Sequence, residues 1–395
     1  MFCFKVNKVK TLLNESKVAY LLGSGISIPF CLPGVNRLTE LILKSEQFAS
    51  LHTDQCYHVG VPAGVPLQGE VTTHIAVDFI RFVKSVLSRK DTLNMIQTPN
   101  YEDIADFIKQ YHLSLINEYE NPALSQLCMK EIKDFASQRK VEVPRLLNYS
   151  IILIDCMLQY FLNHNHAAVL SKIELIQNMV PDFLIGNKLD LFTLNHDLIM
   201  EDYLATRGIS YTDGFYPNQD KLNYFDFNKF WQSSDQVRLV KLHGSIDRYY
   251  HNQSMIKVSD PRYINDPGSN GFSDNFVPSV LSGKIVKMLD YSKPIHADLY
   301  GYFRVKLATE ISKLIVVGYG FGDKGINNAI SSWFKQNNHN CLIVITLKED
   351  TLIANSRFAM ASILQDRSYR NNRRIVILDG GIENCTSNSI RDALS

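Results

Sequence analysis

Six runs, Val18–Leu22, Leu189–Thr193, Val237–Leu242, Leu314–Val317, Cys341–Thr346 and Arg374–Leu378, are four to six residues long and apolar at most positions. Continuous apolar runs, without alternation to a wet face, are the signature of parallel strands buried on both sides. Helix-spaced stretches separate most of them. The pattern predicts an α/β protein with a doubly wound, Rossmann-like parallel sheet.

Between the first run and the second the periodicity changes. From about Thr73 to Asn187 it is helical almost throughout, as in "IAVDFIRFVKSVL" and the long apolar "RLLNYSIILIDCMLQYFLNH". In "NYEDIADFIKQYHLSLI", Asn100 is placed to cap a helix, with Glu102 and Asp103 acidic in its first turn. The expected organisation is a sheet domain from residues 1–50 and 188–395, interrupted after its first βα unit by a helical insertion over 70–187. Packing and assembly are the roles such a module predicts. Three segments rich in turn residues or aromatics are expected to be loops: "HVGVPAGVPLQGEV", "YTDGFYPNQDKLNYFDFNKFW" and "SDPRYINDPGSNGFSDNFVP".

Composition narrows the function classes. Forty-one basic and forty acidic residues leave a net charge of +1, so no global basic footprint for nucleic acid exists. No run reaches the roughly 18 apolar residues of a membrane span, and no apolar leader with a cleavage site opens the chain. Seven scattered cysteines form no CxxC, which argues against a zinc or redox motif and for mostly buried free thiols. A cytoplasmic protein with no metal site is expected.

In open α/β sheets, ligands bind beyond the carboxyl ends of the strands. Four successive runs deliver glycine or titratable groups there: Gly23-Ser24-Gly25-Ile26-Ser27, then Asn195-His196-Asp197, then His243-Gly244-Ser245 with Asp247, then Gly318, Gly320, Gly322 and Asp323. Each has an ordinary alternative. Asn195 fits a turn, His243 a satisfied structural histidine, His196 packing or solvent, and Asp247 a cap. Gly320, Gly322 and Gly325, with Glu349 after the next run, also fit a dinucleotide fingerprint and hence a nicotinamide-dependent oxidoreductase. That reading leaves too little sheet beyond the motif and ignores the first three strand ends.

Taken in order, "LLGSGISIPFCLPG", "FTLNHD", "KLHGSID" and "VVGYGFGDKGIN" resemble the sirtuin-like domains of bacterial anti-phage defence proteins. The resemblance spans about Val18 to Leu378. It implies hydrolysis of NAD to nicotinamide and ADP-ribose, with NAD as substrate, as the effector of an abortive-infection system. Chain length further resembles the sirtuin-like subunit that partners a HerA-type ATPase, which implies a homo-oligomer with or without that partner. A non-catalytic sensor of NAD or ADP-ribose is the alternative within the same fold.

Carried over, the resemblance makes Asn195 and His243 catalytic. The turn formed by Gly23, Ser24, Gly25 and Ser27 would hold the pyrophosphate through backbone N–H groups. Asp197 would meet the nicotinamide carboxamide, and Gly318 and Gly320 would approach the adenosine ribose. Departures are specific. Leu194 stands where deacetylases carry glutamine, no four-cysteine zinc site can form, and Pro33-Gly34-Val35-Asn36-Arg37 replaces the Asp-Phe-Arg element. Thr346 stands where an asparagine is expected. These changes favour NAD hydrolysis over protein deacetylation.

Overall fold

The computed structural model describes residues 17–51, 57–59, 71–89, 99–116, 122–163, 166–186, 188–217, 222–251, 254–258, 277–280 and 294–395. In chain order the strands are β1 (Lys17–Leu22), β2 (Ala49–Leu51), β3 (Tyr57–Val59), β4 (Leu189–Thr193), β5 (Tyr211–Thr212), β6 (Phe215–Pro217) and β7 (Asn223–Phe225). They continue as β8 (Val237–Lys241), β9 (Gly244–His251), β10 (Ser254–Lys257), β11 (Val277–Val280), β12 (Ile311–Val317), β13 (Cys341–Thr346) and β14 (Ile375–Asp379).

Seven of these form one sheet in the order β14-β13-β12-β1-β4-β8-β5, and every pairing in it is parallel. The doubly wound expectation holds. From β1 the chain builds outward through β4 to β8, then returns to place β12 on the other side of β1. The strand order reverses there, so the switch-point crevice opens beyond the carboxyl ends of β1 and β12. Alternate residues of β1 feed two cores: Val18, Tyr20 and Leu22 enter one, Ala19 and Leu21 the other. Burial on both faces is why these strands carry no polar alternation.

Polar residues inside the apolar runs are each tied down. The buried Asp190 of β4 accepts the Tyr302 hydroxyl at 2.7 Å. Arg238 of β8 donates to the carbonyls of Phe230, Trp231 and Ser233. Burial, then the neighbouring Asp190 carboxylate, pushes the Tyr302 phenol above its ordinary value.

The helix α1 (Val35–Ile42) precedes the insertion, which contains α2 (Thr73–Leu87), α3 (Tyr101–Leu115), α4 (Pro122–Gln138) and α5 (Val143–Leu162). Asn100 caps α3 as expected. Its side chain accepts from the N–H groups of Glu102 and Asp103, and the Asp103 carboxylate accepts from the Asn100 N–H, closing a capping box.

The segment "YTDGFYPNQDKLNYFDFNKFW" is not a loop in its described parts. It supplies β5, β6, β7 and the helix Phe227–Gln232. β6 and β7 join β9, β10 and β11 in a five-stranded sheet ordered β11-β9-β10-β7-β6, antiparallel at each pairing. Ile246, Tyr249 and Ile256 of this sheet share a core with Ile104, Leu153 and Met157 of the helical insertion. Most of "HVGVPAGVPLQGEV" and "SDPRYINDPGSNGFSDNFVP" lies outside the described residues, although His58 and Val59 belong to β3. Of the five described cysteines only Cys156 and Cys385 are buried, so burial is not their common state. Among the described residues, no helix is long and apolar enough to cross a membrane.

Candidate active site

Strand register sets the site. Thr193 of β4 lies opposite Lys241 of β8, and each chain leaves the sheet just beyond that pair. Asn195 and His243 both stand two residues past it, so adjacent parallel strands carry the two residues to neighbouring exits on one rim. The Leu242 N–H to Thr193 carbonyl bond, 2.9 Å, holds the two exits together. Both side chains are buried.

Asn195 is fixed from two directions. Its N–H donates to Thr193 Oγ1 at 3.0 Å, which sets the turn. Its Nδ2 donates to the Gly23 carbonyl at 3.1 Å and to Ser27 Oγ at 3.0 Å, tying it to the loop after β1. Oδ1 is buried and accepts no hydrogen bond among the described residues. A buried acceptor left this way is costly and suits a hydroxyl or water supplied by a ligand.

Ser27 passes the contact on, donating to Asp197 Oδ2 at 2.6 Å. The other oxygen of Asp197 accepts from the Ile199 N–H at 3.2 Å, at the start of the helix Ile199–Thr206. Asp197 is therefore engaged in ordering the rim.

The loops after β1 and β12 meet through bare backbone. A Cβ on Gly25 would lie 2.7 Å from the Gly318 Cα, and one on Gly318 2.7 Å from the Gly25 Cα. Gly318 also has φ +62°, the left-handed region that glycine enters without strain. The N–H groups of Gly23 and Gly25 donate to the carbonyls of Val317 and Gly318, and those of Ile26 and Ser27 to Gly23 and Ser24. The N–H groups of Gly23, Gly25 and Ser27, expected to hold the pyrophosphate, thus donate to carbonyls within the two loops. Ser24 is exposed at the tip of the turn. Gly320 has open space where a Cβ would stand, so the approach expected there is sterically available.

Beyond Gly318 the loop is organised by Tyr319 and Asn327. The Tyr319 hydroxyl accepts from the Asp323 N–H and donates to Asn327 Oδ1, each at 2.9 Å. Asn327 Nδ2 donates to the Phe321 and Arg357 carbonyls. Burial, then Asp323, holds the Tyr319 phenol well above its ordinary value. Asp323 ends this loop, and its Oδ2 lies 3.2 Å from His243 Nε2. The sequence placed Asp323 at a strand end without a role. The signal for the pairing was absent because eighty positions separate the partners. His196 is buried, its ring centroid 6.3 Å from that of His243.

Beneath the rim lies a buried ionic layer. Lys241 Nζ donates to Glu201 Oε1 at 2.9 Å and to the Asp197 carbonyl. Lys257 lies 2.6 Å from Asp213 and 3.5 Å from Asp247, and Arg248 lies 3.6 Å from Asp213 with its guanidinium over the Phe215 ring. Asp247 is thus a buried strand residue, not a cap. Burial raises its carboxyl, but Lys257, Lys241 and Arg248 together outweigh that and hold it below its ordinary value. Glu201 goes the other way, raised by burial more than Lys241 lowers it. Arg37, in the stretch that stands where the Asp-Phe-Arg element is missing, pairs with Glu40 on an exposed helix face. Glu349, the acidic member of the dinucleotide fingerprint, is held by Arg370.

Residues 190–368 match the family model described as the SIR2-like domain. That stretch includes Asn195, His243 and Asp323 but not the turn after β1. No curated protein sequence matches the chain. Among solved structures, a Sir2 variant with a deacetylated p53 peptide and 3′-O-acetyl ADP-ribose is 13% identical with a TM-score of 0.35, over 93% of this chain and 98% of that one. Sir2 with a p53 peptide and NAD+ is 12% identical with a TM-score of 0.35, over 92% and 97%.

Proposed function

We propose that this chain hydrolyses NAD to nicotinamide and ADP-ribose in the crevice at the β1/β12 switch point. The observation that carries the reading is the delivery of Asn195 and His243 to neighbouring exits on one rim by the paired strands β4 and β8. Cleavage breaks the bond from nicotinamide nitrogen to ribose C1′; the electron pair leaves with nicotinamide and water adds to C1′. Positive charge builds on the ribose meanwhile. A carboxamide whose Nδ2 is anchored and whose Oδ1 is not can orient a ribose hydroxyl and the water. His243 would remove the proton, a task suited to a group that titrates near neutrality.

The test is nicotinamide release by purified wild type, Asn195→Ala and His243→Ala. His243→Ala is expected to lose roughly 10²–10⁴ in kcat, with folding unchanged by circular dichroism. Retained release in both folded variants would sink the assignment. Binding of NAD without product, both alone and with the partner ATPase added, would identify a sensor instead.

The biological setting follows from the motif resemblance: an NAD-depleting effector of bacterial anti-phage defence. An unrestrained NAD hydrolase would harm its own cell, so its activity is gated by assembly, either with further copies of itself or with a HerA-type ATPase. The helical insertion is the assembly element. Light scattering that finds a strict monomer, with no change in nicotinamide release when the ATPase is added, would remove this part of the proposal.

A further inference from the structure

Asp323 uses its two carboxylate oxygens for different partners. It is the N-cap of the helix Lys324–Gln336, where Oδ1 accepts the Ile326 N–H at 3.0 Å. Oδ2 faces His243 Nε2 at 3.2 Å. A cap needs only the first of these contacts. The second joins loops that leave strands β8 and β12, which are not neighbours, since β1 and β4 lie between them. The contact therefore reaches across the crevice. The His243 and Asp323 side chains are only 6% and 11% exposed, so water screens the pair weakly. The cap, the Tyr319 hydroxyl on the Asp323 N–H and the Asn327 bonds to the same loop fix the carboxylate before any ligand arrives.

We propose that Asp323 is the positioning residue of His243, a role that rests on the NAD-hydrolysis reading above. A carboxylate that accepts from Nε2–H keeps the neutral ring in one tautomer, with its lone pair on Nδ1. When His243 takes the proton from a ribose hydroxyl or water, the ring becomes an imidazolium whose charge the ionised Asp323 offsets. Asp323 itself gains no proton. Overall, NAD+ and water give nicotinamide, ADP-ribose and one proton, which His243 returns to solvent. Among the described residues, the titratable groups shown facing His243 from other elements are Asp323, from the loop after β12, and His196, from the loop after β4. A charged His196 would oppose the imidazolium, and Asp323 supplies the compensating sign.

The experiment compares wild type with Asp323→Asn and Asp323→Ser. Both replacements retain an N-cap acceptor, so the helix start survives while the charge facing His243 is lost. Two readouts are taken from 5 to about 9 on the pH scale: nicotinamide release, and the NMR titration of His243 in protein labelled at its histidine rings, assigned with His243→Gln. The expected result is a kcat loss on the order of 10- to 100-fold, the rate equivalent of one charge-assisted hydrogen bond, with KM nearly unchanged. A carboxylate favours the charged ring, so its loss moves the His243 titration, and the acid limb of kcat, to lower pH. An unchanged His243 titration in the folded variants overturns the proposal, as does a kcat equal to or above wild type, which would make the contact a restraint. A shifted titration in a protein that releases no nicotinamide, with or without the partner ATPase, supports the His243–Asp323 coupling and overturns only the NAD reading.

Discussion

The loops after β1 and β12 touch through bare backbone, whereas those after β4 and β8 are held by buried side chains. At Gly23, Gly25 and Gly318 nothing but backbone fits. At Asn195, Asp197, Lys241 and Glu201 the contacts are hydrogen bonds and an ion pair with little water nearby. One half of the rim is shaped by exclusion, the other by satisfied charge. The first half should fail when an atom is added at one of these three glycines. The second should fail when one partner is removed, and recover when both are replaced.

The largest expected effect is in the second half. Lys241→Met strands the Glu201 carboxylate and withdraws the donor from the Asp197 carbonyl. Breaking a buried pair from one side costs about 3–5 kcal/mol, measurable by urea denaturation. Adding Glu201→Gln should restore most of it. The pH dependence has a definite sign. Burial raises the Glu201 carboxyl, so the folded state binds its proton more readily than the unfolded chain. Native stability from this group is greatest at low pH and is lost as pH rises through the raised value. With Lys241 gone that effect grows, so the deficit of Lys241→Met should be smaller at acid than at alkaline pH. A deficit independent of pH, or no recovery in the double variant, would mean that charge balance does not govern this half.

Gly318→Ala probes the first half. The added methyl meets the Gly25 backbone at 2.7 Å and the residue is held at φ +62°. Overpacking and left-handed strain together predict a loss of about 2–4 kcal/mol. Gly320→Ala is the control two residues on, where the new Cβ meets nothing within 4 Å and stability should change little. Equal effects at the two positions would refute shaping by exclusion. Thermal melts of the pair decide it.

The same contrast explains what the sequence revealed. Residue runs and glycine positions are local, so the six strands, their common rim and the Asn100 cap were visible directly. Leu189–Thr193 and Cys341–Thr346 match to the residue. The antiparallel sheet was not visible. Its strands β6 and β7 are three residues long, too short for any period, and β7 pairs with β10 across more than thirty positions. Side-chain pairings were hidden for the same reason. Asp247 resembles a cap until Lys257 is beside it, and Asp323 resembles part of a glycine fingerprint until His243 faces it. The glycines announced a tight turn but not which partner fills it. Gly318 does so, which is why the N–H groups of Gly23 and Gly25 are spent on backbone.

Ser27 is where the two halves meet, and the smallest prediction sits there. It belongs to the glycine turn, yet its hydroxyl accepts from Asn195 Nδ2 and donates to Asp197 Oδ2. Ser27→Ala adds no atom and removes no charge, so neither large mechanism applies. What disappears is one bridging hydroxyl, worth about 1–2 kcal/mol when its buried partners lose it. If the bridge transmits order from the turn to the carboxamide, Ser27→Ala and Asn195→Ala must be non-additive, because each deletes the same bond. A double-mutant cycle in denaturant should give a coupling of about 1 kcal/mol. Additivity within about 0.5 kcal/mol would show that the two loops are held independently. The carboxamide would then owe its position to the Gly23 carbonyl and Thr193 alone.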